Sequence, residues 1–235
     1  MTIPKLSKRL RCAADLVRNG SFIADIGTDH AYLPIALLAE GRIRGGVVSD
    51  IHKGPIARAT EHIRACGMEG RLFPVLCDGL NGLEHYAPQD ILILGMGGEL
   101  IADIFARAPL TRRPGIRLIL QPMTHPERLR RYLYGAGYTV TEEALVAEEK
   151  IYQILCAEYT GQTEALSETE ALFGKHNLRR GDELTVKLVT EWEAILTKRL
   201  RGKQSAGADA AEEQALLKEI GEWKHDCIGT VSEAQ

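Results

Sequence analysis

Carboxylates and glycines that could carry chemistry recur at the ends of short apolar runs. Phe22-Ile23-Ala24-Asp25-Ile26-Gly27-Thr28-Asp29-His30-Ala31-Tyr32 reads as a buried strand that ends in an acid, turns on a glycine and enters a helix. Asp50 closes the second apolar run, Asp78-Gly79-Leu80 follows the third, and Gly95-Met96-Gly97-Gly98 follows the fourth. Each has a bland explanation on its own: Asp25 or Asp50 caps the next turn or helix, and Asp78-Gly79 is a β-turn. Acid or glycine after four successive strands, in chain order, is hard to assign to turn chemistry alone. Ligands of α/β sheets sit beyond the carboxyl ends of parallel strands, which is where these residues fall.

Two nucleotide ligands suit such a place. A dinucleotide fingerprint, Gly-x-Gly-x-x-Gly, needs glycines where this chain has Asp29 and Tyr32, so a pyrophosphate would meet a carboxylate and a bulky ring. S-adenosylmethionine has no phosphates and asks for a different set. Gly27 offers a close backbone approach, Asp50 can accept both ribose hydroxyls, and Asp78 can accept from the adenine amine while Gly79 and Leu80 line the ring. Gly95, Met96 and Gly97 bring backbone toward the methionine part. Asp25, Thr28, His30 and Ile51 complete the expected cofactor set, His30 facing either the methionine end or a backbone carbonyl.

The elements that must position these residues follow from periodicity. Leu6, Leu10, Ala13, Ala14 and Val17 mark one face of a helix over 5–18, its basic side outward. Strands are expected at 21–25, 46–50, 71–77, 91–94 and 116–121, the fourth breaking at Gly95. Helices are expected at 31–40, from Gly54-Pro55 to Gly67, at 99–108 and at 126–134. Segments 138–147 and 150–159 are separated only by Glu148-Glu149, too short for a parallel crossover, so they form a hairpin. The expected fold is α/β: a Rossmann-like sheet of five parallel strands plus an antiparallel hairpin, the class I methyltransferase arrangement. Residues 164–178 look helical. Leu184, Leu188, Trp192 and Ile195, then Leu216, Ile220, Trp223 and Cys227, mark two further helices around a flexible turn at 202–207, an α-helical coiled-coil hairpin. Both tryptophans read as hairpin core. The expected domains are 1–160, binding cofactor and catalysing, and 161–235, helical.

Composition limits the classes of function. With 235 residues, 45% of them hydrophobic and 26% charged, the chain can bury a substantial core, and no apolar run approaches a membrane span. No signal segment opens the chain, so a cytoplasmic protein is expected. Cys12, Cys66, Cys77, Cys156 and Cys227 are odd in number and widely spaced, which reads as buried thiols. His52, His62, His85, His125, His176 and His225 show no metal-ligand spacing, and no metal is expected. The net charge of −3 hides two basic segments. Lys5, Lys8, Arg9 and Arg11 in the first, and Arg112, Arg113, Arg128, Arg130 and Arg131 in the second, could form a face for RNA phosphates. Solvated helix surface is the alternative.

Leu6-Ser7-Lys8-Arg9-Leu10, the run Asp25 to Pro34, Cys77-Asp78-Gly79-Leu80, Gly95-Met96-Gly97-Gly98 and Leu120-Gln121-Pro122 together resemble the bacterial tRNA (adenine-22-N1)-methyltransferases, the TrmK family. The resemblance covers roughly residues 5–160. It implies methyl transfer from S-adenosylmethionine, leaving S-adenosylhomocysteine, to N1 of adenine 22 in the D-arm of tRNA. N1 has its own lone pair, so positioning rather than a strong base is required. The product ring is cationic, for which Asp29 is the candidate stabiliser, and Tyr32 is placed to stack on an adenine turned out of its stem. The expected partner is tRNA; no protein partner is implied and a monomer is expected. A methyltransferase acting on a small molecule or protein, and a non-catalytic RNA-binding protein of the same fold, are the alternatives.

Overall fold

The computed structural model describes residues 3–232 and separates into two compact units, Met1–Ala165 and Leu166–Gln235. The first carries a sheet of seven strands: β1 (Ser21–Ile26), β2 (Ile43–Asp50), β3 (Leu72–Leu76), β4 (Asp90–Gly97), β5 (Arg117–Thr124), β6 (Tyr138–Ala147) and β7 (Ile151–Tyr159). Their order is β3-β2-β1-β4-β5-β7-β6, with β1 to β5 parallel and β7 running antiparallel between β5 and β6. The chain reverses its direction of travel across the sheet between β1 and β4, and the carboxyl ends of these two strands form the switch point where α/β sheets take ligands. Ile91, Leu92 and Ile93 of β4 are fully buried, as a central strand covered on both faces requires.

Helices α1 (Lys8–Asp15), α2 (Tyr32–Ala39), α3 (Lys53–Ala65), α4 (Gly98–Ala106) and α5 (Pro126–Gly135) cover the sheet. The first is shorter than the periodicity predicts. Ser7 caps it, accepting from the Leu10 amide at 3.3 Å, and the backbone then leaves the helix so that the Arg18 amide and guanidinium reach the buried Asp90 carboxylate. Helix α2 is apolar all round, Leu33 to Leu38 being buried, because it lies inside the core cluster rather than on its surface.

Strand β4 does not break at Gly95 as expected. It continues to Gly97 through irregularities opposite β5, which keep Met96 paired with Pro122 and Gly97 with Thr124. Helix α4 starts immediately afterwards at Gly98, where a Cβ would lie 2.3 Å from the His125 carbonyl oxygen, so only glycine fits.

In the second unit the expected helix over 164–178 is two: α6 (Glu168–Phe173) and α7 (Lys175–Arg180), divided at Gly174 with φ +89°. Helix α8 (Glu183–Ser205) runs through Gly202, whose cost of about 1 kcal/mol in a helix interior is too small to stop it. It forms an antiparallel pair with α9 (Ala211–Ser232), closed by Lys203 on Glu213 at 2.8 Å and by Lys224 on Glu193. Trp223 is half-buried and donates its indole N–H to the Leu178 carbonyl; Trp192 meets Phe173 edge to face. Of the cysteines only Cys156 is buried; Cys12, Cys66, Cys77 and Cys227 are half-buried. Among the described residues no helix is long and apolar enough to cross a membrane.

Candidate functional site

The turn after β1 is built by backbone pairing across the sheet. The Gly27 and Thr28 amides both donate to the Ser49 carbonyl, at 2.8 and 3.0 Å, and Gly27 takes φ +75°, where a Cβ would lie 2.0 Å from Met96 Cε. The left-handed φ favours glycine here, whereas the Met96 methyl is the end of a flexible side chain that can move aside. Thr28 Oγ accepts from the Ala31 amide at 3.0 Å and holds Ala31 at φ 56°, a left-handed conformation rare for a residue with a side chain. Helix α2 then begins with Tyr32.

This turn walls a cavity of about 210 Å³ together with Arg9, Asp25, Asp29, His30, Tyr32 and Leu94. Asp25 is 8% exposed, and burial pushes its carboxyl up to about 6, opposed by a hydrogen bond to the Thr28 side chain. A buried carboxylate held by one hydroxyl calls for a cationic ligand group. Arg9 does not lie on an outward basic face as expected. Its Nη1 donates to Gln121 Oε1 at 2.5 Å, its guanidinium lies 5.5 Å from the Tyr152 ring centroid, and it lines the same cavity. A carboxylate and a guanidinium across one cavity match the ammonium and carboxylate of an amino acid, so the residues present fit the methionine end of S-adenosylmethionine. The volume is below the roughly 300–1,000 Å³ of whole-ligand pockets. It accommodates one end of such a cofactor, with the remainder along the open ends of β2 and β3. Larger hollows of about 490 Å³ along α8 and about 600 Å³ beside α1 are open surface features without a buried charge.

At those open ends, Asp50 Oδ1 accepts from the His52 amide at 2.7 Å and the neighbouring Ile51 is 57% exposed. Asp78 is paired with Arg107 at 2.9 Å, Gly79 follows it, and Leu80 is buried. The Cys77 amide donates to the Asp50 carbonyl at 3.1 Å, holding the two strand ends together. Gly95, Met96 and Gly97 lie along the irregular end of β4, with Gly95 facing Arg9.

Asp29 is engaged through both oxygens. Oδ1 accepts from Arg58, whose Nε is 3.1 Å away, and Oδ2 lies 3.1 Å from His30 Nε2. The Arg58 hydrogen bond, reinforced by the Arg58 charge, holds the Asp29 carboxyl below its ordinary range. Sequence reasoning missed Arg58; its only signal was its place on the helix after β2. With Nε2 turned to a carboxylate, neutral His30 presents Nδ1 as an acceptor, and that atom is buried without a partner. Tyr32, 39% exposed, stacks on His30 at 4.9 Å and 15° and on His62 at 5.2 Å and 26°.

The expected basic face is divided. Lys5 and Lys8 are exposed near the cavity end of α1, and Arg11 is bidentate on Glu40. Arg128, at the start of α5, is paired with Glu99, and Arg131 is exposed one turn later. Arg112 and Arg113 precede β5, at the end of the sheet opposite the cavity, with the Arg112 guanidinium 5.9 Å from the Tyr159 ring centroid. The assignment of Arg130 to RNA is corrected: it is 1% exposed, with Nε on Glu143 at 2.7 Å and Nη2 on Gln153 at 2.7 Å. A guanidinium inside the α5–hairpin interface cannot reach a phosphate. Among the described residues no three His, Cys, Asp or Glu side chains cluster as metal ligands.

Comparison with known proteins agrees with this geometry. Residues 6–155 match the family described as a methyltransferase domain. The chain is 31% identical over 224 residues to the tRNA (adenine(22)-N(1))-methyltransferase of Bacillus subtilis, covering 93% of each. A Streptococcus pneumoniae structure in complex with S-adenosyl-L-methionine superposes with a TM-score of 0.81 at 30% identity, over 92% of this chain and 99% of that one. The structure of M. capricolum TrmK in complex with S-adenosyl-homocysteine gives 0.79 at 25% identity, over 93% and 97%. A buried acid, a glycine turn and the strand order β3-β2-β1-β4-β5-β7-β6 thus coincide with full-length likeness, and the chain belongs to the methyltransferase-domain family and, within it, to the TrmK family of tRNA (adenine-22-N1)-methyltransferases.

Proposed function

We propose that the first unit binds S-adenosylmethionine at the carboxyl ends of β1 to β4 and methylates N1 of adenine 22 in tRNA, with the helical unit contributing to tRNA docking. The observation that carries this reading is the single cavity in which Asp25, Gly27 and Arg9 stand beside Asp29, His30 and Tyr32. Cofactor groups and substrate groups share one wall, as in-line transfer between two bound molecules requires.

Asp25 takes the ammonium of the cofactor's amino-acid end and Arg9 its carboxylate, while Thr28 and Gly27 supply the close backbone surface. Asp50 accepts from the ribose hydroxyls, Asp78 from the adenine amine, and Gly79 with Leu80 walls the ring. Asp78 exchanges part of its contact with Arg107 for that role. S-adenosylmethionine, when bound, supplies an electrophilic methyl group on sulfonium.

Adenine N1 attacks with its own lone pair, so no residue need remove a proton first. Arg58 keeps Asp29 ionised and makes it a poor proton acceptor, so Asp29 acts through its charge on the cationic ring rather than as a base. His30 lines the same cavity, and Tyr32 offers its exposed face for stacking. Lys5 and Lys8, near the cavity, and Arg131 on α5 are the phosphate contacts this geometry favours; Arg112 and Arg113 would need an RNA that reaches the opposite end of the sheet. The chain works as a monomer in the cytoplasm on this reading.

The test is methylation of an unmodified tRNA transcript carrying A22 beside one carrying G22. Label on the A22 transcript alone, mapped to N1, is expected; equal labelling of both would overturn the site assignment. Absence of any heat or fluorescence response to S-adenosylmethionine would overturn the enzyme reading altogether.

A further inference from the structure

Tyr32 is a wall of two cavities. One is the reaction cavity; the other, of about 250 Å³, is lined by Pro4, Tyr32, Ile35, His62, Ala65 and Cys66. Resting on the tRNA reading above, we infer that this second cavity is a subsite for an unpaired nucleobase adjacent to the methylated adenine in the RNA chain.

The lining selects for a flat, mostly apolar group with a polar edge. Pro4, Ile35, Ala65 and Cys66 offer apolar surface, and Tyr32 and His62 offer rings. The Tyr32 and His62 rings are 5.2 Å apart and His30 completes the cluster at 5.2 Å from His62, too close to admit a base between them. The cluster therefore presents outward surfaces on which a base can lie. His62 Nδ1 is 3.1 Å from the His30 carbonyl oxygen, which can only accept, so Nδ1 donates and the neutral ring leaves Nε2 as an acceptor. An acceptor at the edge of a ring platform suits a base with an exocyclic amine. Lys5, exposed and next to Pro4 in the chain, brings a cation beside the opening for the connecting phosphate.

Continuity with the reaction cavity identifies the occupant. Nucleotides adjacent in a strand stay tethered by one phosphate, so turning one base out to meet the cofactor unstacks its neighbour and leaves an apolar face to cover. Tyr32 lines both cavities, so the two bases would lie next to one another along one aromatic cluster.

Two measurements test this. In the first, Ala65→Phe fills the cavity from the end of α3, where residue 65 is exposed and the added ring does not enter the core. Its KM for A22 tRNA is expected to rise roughly tenfold, the loss of one stacked base, with cofactor Kd and melting temperature unchanged. In the second, wild-type enzyme is assayed on transcripts with an abasic residue on either side of A22. One of the two should show a similar rise in KM, and that rise should not add to the effect of Ala65→Phe. Wild-type KM values equal for both abasic transcripts and the natural one would overturn the subsite while leaving the methylation reading intact. A weaker cofactor Kd in Ala65→Phe would also overturn it, assigning the cavity to the cofactor. Wild-type enzyme inert on every transcript would overturn the tRNA reading and the subsite with it.

Discussion

Replacing Asp25 by asparagine separates the cost of its burial from its use. The side chain is 8% exposed and its carboxyl is raised from 3.8 to about 6, first by burial and against the opposing Thr28 hydrogen bond. Between these two values the folded state holds a proton that the unfolded state has released, so this group's contribution to stability falls as pH rises. The penalty is nearly absent below about pH 4, grows through pH 6 and is complete above it. At about 1.4 kcal/mol per pH unit, it reaches roughly 3 kcal/mol. An asparagine side chain has the same shape and carries no charge at any of these pH values. The difference in unfolding free energy between Asp25→Asn and wild type should therefore shift in favour of the variant by roughly 3 kcal/mol from pH 4 to pH 8. Denaturant unfolding at several pH values without cofactor measures it, and using the difference cancels every other titrating group. Binding should move the opposite way. The variant loses the partner of the cofactor's ammonium, and wild-type affinity should rise as pH passes through about 6 while the variant's does not. A stability difference that is flat with pH, or that grows in favour of wild type, would show that the carboxylate is solvated or already paired, and the argument for a waiting cation site would fail.

Three other outcomes follow from contacts already described. Arg130→Met should cost about 3–5 kcal/mol by stranding Glu143 in the interior, and adding Glu143→Leu should restore most of it; an undiminished denaturation midpoint in the single variant would return Arg130 to the surface. Asp50→Ala should weaken S-adenosylmethionine binding tenfold or more, about 1.5–3 kcal/mol for a charged hydrogen bond, read by calorimetry, and unchanged affinity would contradict the ribose role. Lys5→Glu with Lys8→Glu should lower tRNA affinity and flatten its dependence on salt, whereas Arg112→Glu with Arg113→Glu should do so only if RNA spans the sheet; equal effects from both pairs would contradict a contact centred on the cavity.

Much of this was legible in the chain because strands and ligands share one logic. The places of Asp25, Asp50 and Asp78 at or just past strand ends are readable from the apolar runs before them, and the hairpin is readable since two residues cannot make a crossover. Arg130 was misplaced because a charge run does not say which of its members faces inward; Glu143 and Gln153, the groups that hold it, lie on strands 13 and 23 residues further along. Arg9 was misplaced for the same reason, its partner Gln121 being 112 residues away. The start of α6 was open to inspection, since Ser167 with Glu170 forms a capping box there. Arg58 and His62, by contrast, reach the site from a helix that no motif marked.

Ala31 carries a consequence of its own. Glycine would adopt its φ of 56° freely, while alanine holds it at a cost on the order of 1 kcal/mol. Glycine would also wander to other angles, and with it the heading of the helix that starts at Tyr32. The alanine gives up local ease for a single direction, so the ring shared by both cavities points the same way before any RNA arrives. Ordering that loop during recognition is then unnecessary, and Ala31→Gly should leave a well-folded protein whose aromatic wall has become a swinging door.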